Sequence, residues 1–333
     1  MVTLSDVARA AGVSLSTASR AINGSRDRTV NPALREKVLA AAAELRYSPN
    51  AAAQAIARGR TQSLSLVVHD ITDPYFSSIA AGVTATARAA GSSVLLGVTN
   101  HDPDELIRQV DQARSQRSQA LVLVGSLYDD ADLQARLLSA VGEFRGAADG
   151  GTALVGQPLD GVRTIQPANR AGAADLARAL LGQGHRRFAL LTGPETHLTS
   201  RDRAEGFIVG LRDAGTVTSR VATTFDRDGG FAAMTRLIDA GDLPDVVFAA
   251  TDVMAVGALA ACREAGLEVP RDVGVAGFDD IPTLRDYVPS LSTVRVDLHR
   301  LGRLAGEIAL TDTGPDAQEV GTEVQLREST RRS

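Results

Sequence analysis

Side chains able to do covalent or metal chemistry are few here and poorly spaced for it. The chain holds five histidines and one cysteine. His69, His101, His185, His197 and His299 are scattered with no metal-ligand spacing, and Cys262 alone can neither complete a zinc set nor close an intrachain disulfide. No G-x-S-x-G nucleophile elbow, no G-x-G-x-x-G and no G-x-x-x-x-G-K-[ST] phosphate loop occurs. The glycine-rich stretch 142–151 is not a phosphate loop, and no Lys follows position 37. The adjacent carboxylates Asp129-Asp130 and Asp279-Asp280 read as caps or solvated loop residues. These residues argue against an enzyme and predict no catalytic residue, no metal and no cofactor.

Two other sets suit recognition. Leu15, Ser16, Thr17, Ser19 and Arg20 form a run of short contact-making side chains with one long donor fork, the kind of surface a helix places in a DNA major groove. Further on, Ser200 to Phe207 carries Arg203, Gly277 to Asp280 carries Asp279, and Thr251-Asp252 opens another connection. An Arg fork and an Asp converging on a ligand suit neighbouring hydroxyls or a ring with donors. Asp252 reads as a helix N-cap rather than a ligand.

The first set needs a small helical scaffold, and the spacing supplies one. Thr3 with Asp6 three residues on predicts a capping box. Leu4, Val7, Ala8 and Ala11 follow at i, i+3, i+4 and i+7. Gly12 marks the turn, since it alone takes positive φ without a Cβ penalty. Ser14 caps a second helix whose Ala18 and Ile22 face the same core, and Asn23-Gly24 ends it. Asn31-Pro32 starts a third helix with Leu34, Val38, Ala42 and Leu45 inward. Three helices in about 45 residues have little core.

The second set needs strand ends. From Ser63 the pattern alternates. Strands are predicted at 64–68, 94–98, 120–124, 152–155, 188–191, 246–249, 273–276, 291–296 and 320–326. Helices are predicted at 74–90, 104–115, 130–144, 169–181, 203–214, 230–240, 252–265 and 298–310. Such βα alternation implies parallel sheets covered on both faces. Some 270 residues exceed one core, so two doubly wound lobes are expected, with a ligand cleft where the carboxyl ends of their strands face each other.

Charge is uneven. Residues 1–60 hold nine basic and four acidic side chains, net +5, and the remainder 26 against 36, net −10. A basic head on an acidic body suits a protein that presents one end to phosphates. No run of 18 apolar residues occurs, because Thr251 and Asp252 break the most apolar stretch, and a signal-peptide core is missing, so a cytoplasmic protein is expected.

Residues 2–24, with Tyr47-Ser48-Pro49-Asn50 and Thr61-Gln62-Ser63, resemble the lactose-repressor/galactose-repressor (LacI/GalR) family of bacterial transcription regulators, and the resemblance runs to about Arg327. It implies an α/β fold: a helix-turn-helix headpiece (1–47), a hinge (48–61), and a core of two doubly wound parallel-sheet lobes like type I periplasmic binding proteins, 62–164 with 295–320 and 165–294 with 321–328. The chain would cross between lobes near 163–166, 294–297 and 318–321. It further implies a transcription regulator, a repressor, bound as a homodimer to a pseudo-palindromic double-stranded DNA operator and controlled by a small-molecule effector, with a sugar ahead of a nucleoside or other polar metabolite. Leu15, Ser16 and Arg20 would face base edges, with Arg20 on guanine, while Thr17, Ser19 and Asn23 would position phosphates. Asn50 and Ile56 would act at the hinge over 50–58, Ile56 in a minor-groove wedge where the family has Leu. Arg203 and Asp279 would hold the effector, joined by Asp73, Phe76, Ser126, Phe225 and Thr251. Besides Ile56, the sequence departs from the family in three places: Thr251 stands for the usual Asn, Ala168-Asn169 for the frequent Asp-Asn, and no Trp is present. No heptads follow Leu326, so the tetramerising helix of the lactose repressor is not expected. A sugar-binding transport protein would share the core but has no use for a basic helical head.

Overall fold

A computed structural model describes residues 2–23, 30–48, 61–148, 150–212 and 214–332. They form two compact units, Met1–Thr61 and Gln62–Ser333.

The first unit is helical. Helix α1 (Leu4–Ala11) begins with the full Thr3–Asp6 capping box and ends at Gly12 in the left-handed region, φ +64. Helices α2 (Leu15–Asn23) and α3 (Pro32–Glu44) follow, the latter capped by Asn31 with Pro32 in its first turn. Val7, Ala8, Ala11, Ala18, Ala21, Val38 and Ala41 make the core. Most are alanines, so the helices approach closely and bury little area. Leu34, expected inside, is 41% exposed, because α3 turns Val38 and Ala41 inward instead.

In the second unit, six parallel strands make the first sheet, in the order β11-β5-β4-β3-β1-β2. They are β1 (Ser63–Val68), β2 (Ser93–Val98), β3 (Ala120–Val124), β4 (Gly151–Val155), β5 (Arg163–Pro167) and β11 (Ala317–Val320). Alternate residues supply two cores: Leu64, Leu66, Val68, Val122 and Val124 face one side, and Val67, Leu121, Leu123 and Leu154 the other. The central strand β3, buried on both faces, reads as an unbroken apolar run, Ala120 to Val124. Helices α4 (Pro74–Ala89), α5 (Pro103–Ser115) and α6 (Ala131–Ala148) lie between the first four strands.

Four parallel strands in the order β7-β6-β8-β9 make the second sheet: β6 (Arg187–Thr192), β7 (Thr216–Ala222), β8 (Val246–Ala249) and β9 (Gly274–Ala276). Helices α7 (Asn169–Gly182), α8 (Leu198–Leu211), α9 (Arg227–Ala240) and α10 (Asp252–Glu264) connect them. Strand β10 (Thr293–Val296) pairs antiparallel with β12 (Thr322–Gln325) and touches the end of β9 through the bridge Ala276–Ser292. Helix α11 (Leu298–Thr311) then packs on α4 and β4 of the first lobe.

Three differences from the sequence expectation follow from burial. Strands β5 and β7 were not expected, because each carries few apolar residues; β7 is a sheet edge with alternating exposure, and β5 is completed by its neighbours. The single strand expected over 320–326 is two, divided at Gly321, one in each partnership. The lobe divisions at 164/165 and 294/295 would cut β5 and β10, so the chain leaves the first sheet after Pro167 and returns after Val296.

Candidate functional site

Seven strand ends converge between the lobes on one cavity with about 440 Å³ of empty space, part of it open to solvent. His69, Asp73, Tyr75 and Phe76 follow β1, His101 follows β2, and Gly125 and Ser126 follow β3. His197, Thr199 and Arg203 follow β6, Phe225 follows β7, Thr251 follows β8 and Asp279 follows β9. This is the place where parallel sheets leave loops and helix N-termini free to meet a ligand.

Arg203 and Asp279 are each 2% exposed and paired through two bonds, Nη2 to Oδ1 at 2.7 Å and Nη1 to Oδ2 at 3.2 Å. Arg203 also donates from Nε to Asn169 Oδ1 (2.9 Å) and from Nη1 to the Ala250 carbonyl (2.7 Å), and its guanidinium lies 3.9 Å from the Phe278 ring centroid. Among the described residues, four of its five N–H groups are thus engaged, which leaves one for a ligand. Burial pushes the Asp279 carboxyl up to about 6 against the opposing pull of Arg203. Its backbone sits at φ +117, held by hydrogen bonds to Val294 and Val296. Such a conformation in a non-glycine residue persists only where the surroundings impose it.

On the facing lobe, the Asp73 side chain caps α4 by accepting from the Tyr75 N–H (2.8 Å), and burial raises its carboxyl to about 7. Two glycines shape the walls. A Cβ on Gly125, at φ +146, would overlap the His69 imidazole, and one on Gly193 would overlap the Phe225 ring. Both rings can therefore approach the backbone this closely only because those positions are glycine. A seam joins the lobes beside the cavity. The Asp129 N–H donates to the Thr196 carbonyl (2.8 Å), the Leu198 N–H to the Leu127 carbonyl (3.0 Å), and Gln157 Nε2 to Thr199 Oγ1 (2.7 Å).

In the helical unit, Ser14 Oγ accepts from the Thr17 N–H (3.2 Å) and lies within hydrogen-bond distance of the Ser16 and Thr17 hydroxyls. Leu15 is 52% exposed, and Ser16 is exposed. Arg20 Nε donates to the Ser16 carbonyl at 3.0 Å. A short helix with polar side chains on its free face follows a tight glycine turn, which is the helix-turn-helix arrangement.

Residues 3–50 match the family described as bacterial regulatory proteins, lacI family, and residues 177–333 match the periplasmic binding protein-like domain. The chain is 34% identical over 315 residues to the HTH-type transcriptional regulator GalR of Escherichia coli K12, covering 93% of this chain and 89% of that one. Identity to the ribose operon repressor of the same organism is 32% over 316 residues, covering 93% and 92%. The chain belongs to the lacI family of bacterial regulatory proteins. A solved structure of the lac repressor dimer bound to operator and the anti-inducer ONPF superposes with a TM-score of 0.85 at 26% identity, covering 99% of each chain. This lacI-family chain is a DNA-binding transcription regulator and not an enzyme, and the match at residues 3–50 decides against a transport protein.

All seven cleft residues singled out in the sequence of the regulator, Asp73, Phe76, Ser126, Arg203, Phe225, Thr251 and Asp279, line the one cavity. Leu15, Ser16, Thr17, Ser19 and Arg20 lie on α2. Asn23 ends that helix, its side chain lying outside the described residues, as do Asn50, Ile56 and the expected hinge over 50–58.

Three expectations need correction. Thr251, not Asp252, is the N-cap of α10, accepting from the Met254 N–H. Asp252 is fully buried and accepts from the Ile281 N–H (2.9 Å) and the Thr293 hydroxyl (2.6 Å). Asp279-Asp280 is not a solvated pair: Asp279 binds Arg203, while Asp280, 5% exposed, is clamped by Arg295 (2.7 Å) and Arg327 (2.6 Å). The histidines are not all scattered, since His69, His101 and His197 meet in the cavity wall. Among the described residues, no group of His, Cys, Asp or Glu is arranged to hold a metal ion. Nor, among them, is any helix long and apolar enough to cross a membrane.

Proposed function

We propose that this regulator is a cytoplasmic homodimeric repressor that reads a pseudo-palindromic double-stranded operator through α2 and is controlled by a sugar in the interlobe cleft. The observation that carries the effector assignment is the convergence of Arg203, Asp279, Asp73 and Ser126 on one partly open cavity. Its lining offers charge-assisted donors and acceptors at several angles, which suits adjacent hydroxyls. Arg203 and Asp279 are the orienting pair. Phe76 and Phe225 supply the apolar faces, and Thr251 and Ser126 the neutral hydroxyls.

On the DNA side, Arg20 would reach guanine, Leu15 a thymine methyl, and Ser16 a base edge, with Thr17, Ser19 and Asn23 on phosphates. One headpiece covers too little DNA for a tight site, so a dimer is needed. The lac repressor relative was solved as a dimer on operator. Exposed apolar side chains that a second copy could cover occur on both lobes, with Leu96 on β2 51% exposed and Tyr287 and Val288 40% and 94% exposed. Effector control requires a coupling of only about 1–3 kcal/mol between cleft and DNA.

The test is a salt series of binding to the DNA upstream of the regulator's own gene, for wild type and Arg20→Ala, with and without added sugars. Wild type should bind with a Kd on the order of 10⁻⁸–10⁻¹¹ M. Arg20→Ala should lose about 1–3 kcal/mol of discrimination against random DNA. Equal, weak binding of both proteins to operator and random fragments alike would overturn the assignment of α2.

A further inference from the structure

We propose that closing the two lobes takes up a proton on Asp73, the carboxyl that the first lobe presents to the Arg203–Asp279 pair of the second, so that the cleft responds to pH as well as to ligand. This rests on the reading of the cleft as the effector site and adds a proton to what controls it.

Backbone contacts define the closed arrangement. The segments after β3 and β6 pair across the lobes as an antiparallel bridge between Tyr128 and His197. The Asp129 and Leu198 N–H groups each donate to a carbonyl of the other lobe, and Arg201 pairs with the Asp129 carboxylate at 2.5 Å. These bonds exist only while the lobes are together, so the two amides report closure.

Closure gathers carboxylates from both sides. The first lobe brings Asp70 and Asp73 to the cavity and its outer rim, and the second brings Asp226, Asp228 and Asp279. The two arginines there are taken, Arg203 by Asp279 (2.7 Å) and Arg227 by Asp228 (2.8 Å). At the rim, Asp70 accepts from the Thr72 N–H and hydroxyl, and Asp226 from the Gly229 N–H. Asp73 differs. It stands where cavity and rim meet, lining both, and it shares them with Phe225, Thr251 and Val253 of the second lobe. Its Oδ1 accepts from the Tyr75 N–H, and among the described residues no arginine or lysine pairs with it. Shutting the lobes therefore replaces water around an uncompensated carboxylate with side chains and a second carboxylate, which is unfavourable. A proton removes the charge and leaves the carbonyl oxygen of the acid free to cap α4.

The titration of Asp73 follows this geometry. Burial raises its carboxyl to about 7, and Asp279 across the cavity adds more than Arg203 takes away. With the lobes apart the carboxyl faces water and keeps an ordinary value of about 4. What the proton contributes to closure is thus complete below the open-state value and is lost as pH rises through about 7. On its own lobe Asp73 faces His69, Asp70, Tyr75 and His101. From the second lobe it faces His197, Arg203, Asp226, Arg227 and Asp279, with Asp252 behind Asp279. The histidines act in the opposite sense. Burial holds His69 down at about 3 and His197 at about 4, and lowers His101 as well, so opening binds protons there in acid. Only a comparison with a variant of Asp73 isolates its share.

Hydrogen exchange at the Asp129 and Leu198 amides of the full chain, without ligand and corrected at each pH for the intrinsic exchange rate, tests this for wild type and Asp73→Asn. Asn caps a helix as Asp does and carries no titratable proton, and the histidines are common to both proteins. The ratio of wild-type to variant seam protection should fall about tenfold from about pH 6 to about pH 8. Asp73→Ser, which also caps, should give the same ratio. A ratio that stays within about twofold over that range, or rises, overturns the proposal. So does seam exchange that keeps step with Val122 and Leu190 in the sheet cores, because the lobes would then not open as units. D-galactose and D-ribose, added at constant pH, probe the effector reading separately. If neither changes seam protection, the sugar assignment fails while the pH ratio stands. A flat ratio beside a sugar-responsive seam removes the proton and leaves the effector site.

Discussion

Asp73 illustrates how a single side chain at this site carries opposing duties. Its carboxylate caps α4, which favours the charged form, yet burial dominates and raises it from 3.8 to about 7. A carboxyl raised in the folded state binds more protons there than in the unfolded chain, so its contribution to stability is lost as pH rises from about 4 to about 7 and then levels off. Asp73→Asn keeps a cap of similar quality without the charge. The variant should match wild type near pH 4 and exceed it above pH 7 by on the order of 1 kcal/mol, less than the full linkage value because the side chain is only part-buried. Urea midpoints across that range check this, and identical pH slopes for the two proteins would refute it. Asp280 shows the contrasting outcome. Its hydrogen bonds to Arg295 and Arg327 hold its carboxyl below the usual value despite burial. Adjacent in sequence, Asp279 and Asp280 differ because they meet different arginines, Arg203 from helix α8 for the first, Arg295 from β10 and Arg327 from the segment after β12 for the second.

At the scale of elements, helix pairs approach through glycine. Gly302 on α11 faces the Ile79 carbonyl on α4, and Gly82 on α4 faces the His299 carbonyl in return, so a Cβ at either site would overlap backbone. Gly230 and Gly257 do the same between α9 and α10. Gly302→Ala should force α4 and α11 apart at a cost of about 1–3 kcal/mol. Gly142 on α6 has open space where its Cβ would stand. Gly142→Ala there should be neutral or stabilising by up to about 1 kcal/mol, since only backbone freedom changes. Thermal melts of the two variants should move in opposite directions, and a shared direction would show that the helix contacts do not set the difference. The capping box of α1 was readable because its hydrogen bonds span three residues. Strands β5 and β7 were not, because their pairing partners and not their own residues make them strands.

The whole regulator depends on a second copy if the operator is two-fold. Val288→Asp places a charge at a side chain 94% exposed in the single chain, so it should leave folding intact. It should nonetheless shift sedimentation from dimer to monomer and weaken operator binding, because an unpaired charge would be desolvated in the interface. A variant that remains dimeric would place the interface elsewhere on the lobes.

What the sequence determined alone was local or periodic. Caps, the Gly12 turn and the βα alternation depend on residues a few positions apart, and Arg203, Asp279 and Thr251 could be assigned to the cleft because strand ends of a doubly wound sheet share one side. Tertiary structure decided what depends on distant segments. It brought His69, His101 and His197 to one wall, gave Asp280 its arginines, and divided the stretch 320–326 between two sheets. No spacing rule reaches across a hundred residues, because the contact exists only once both lobes have folded and closed their seam.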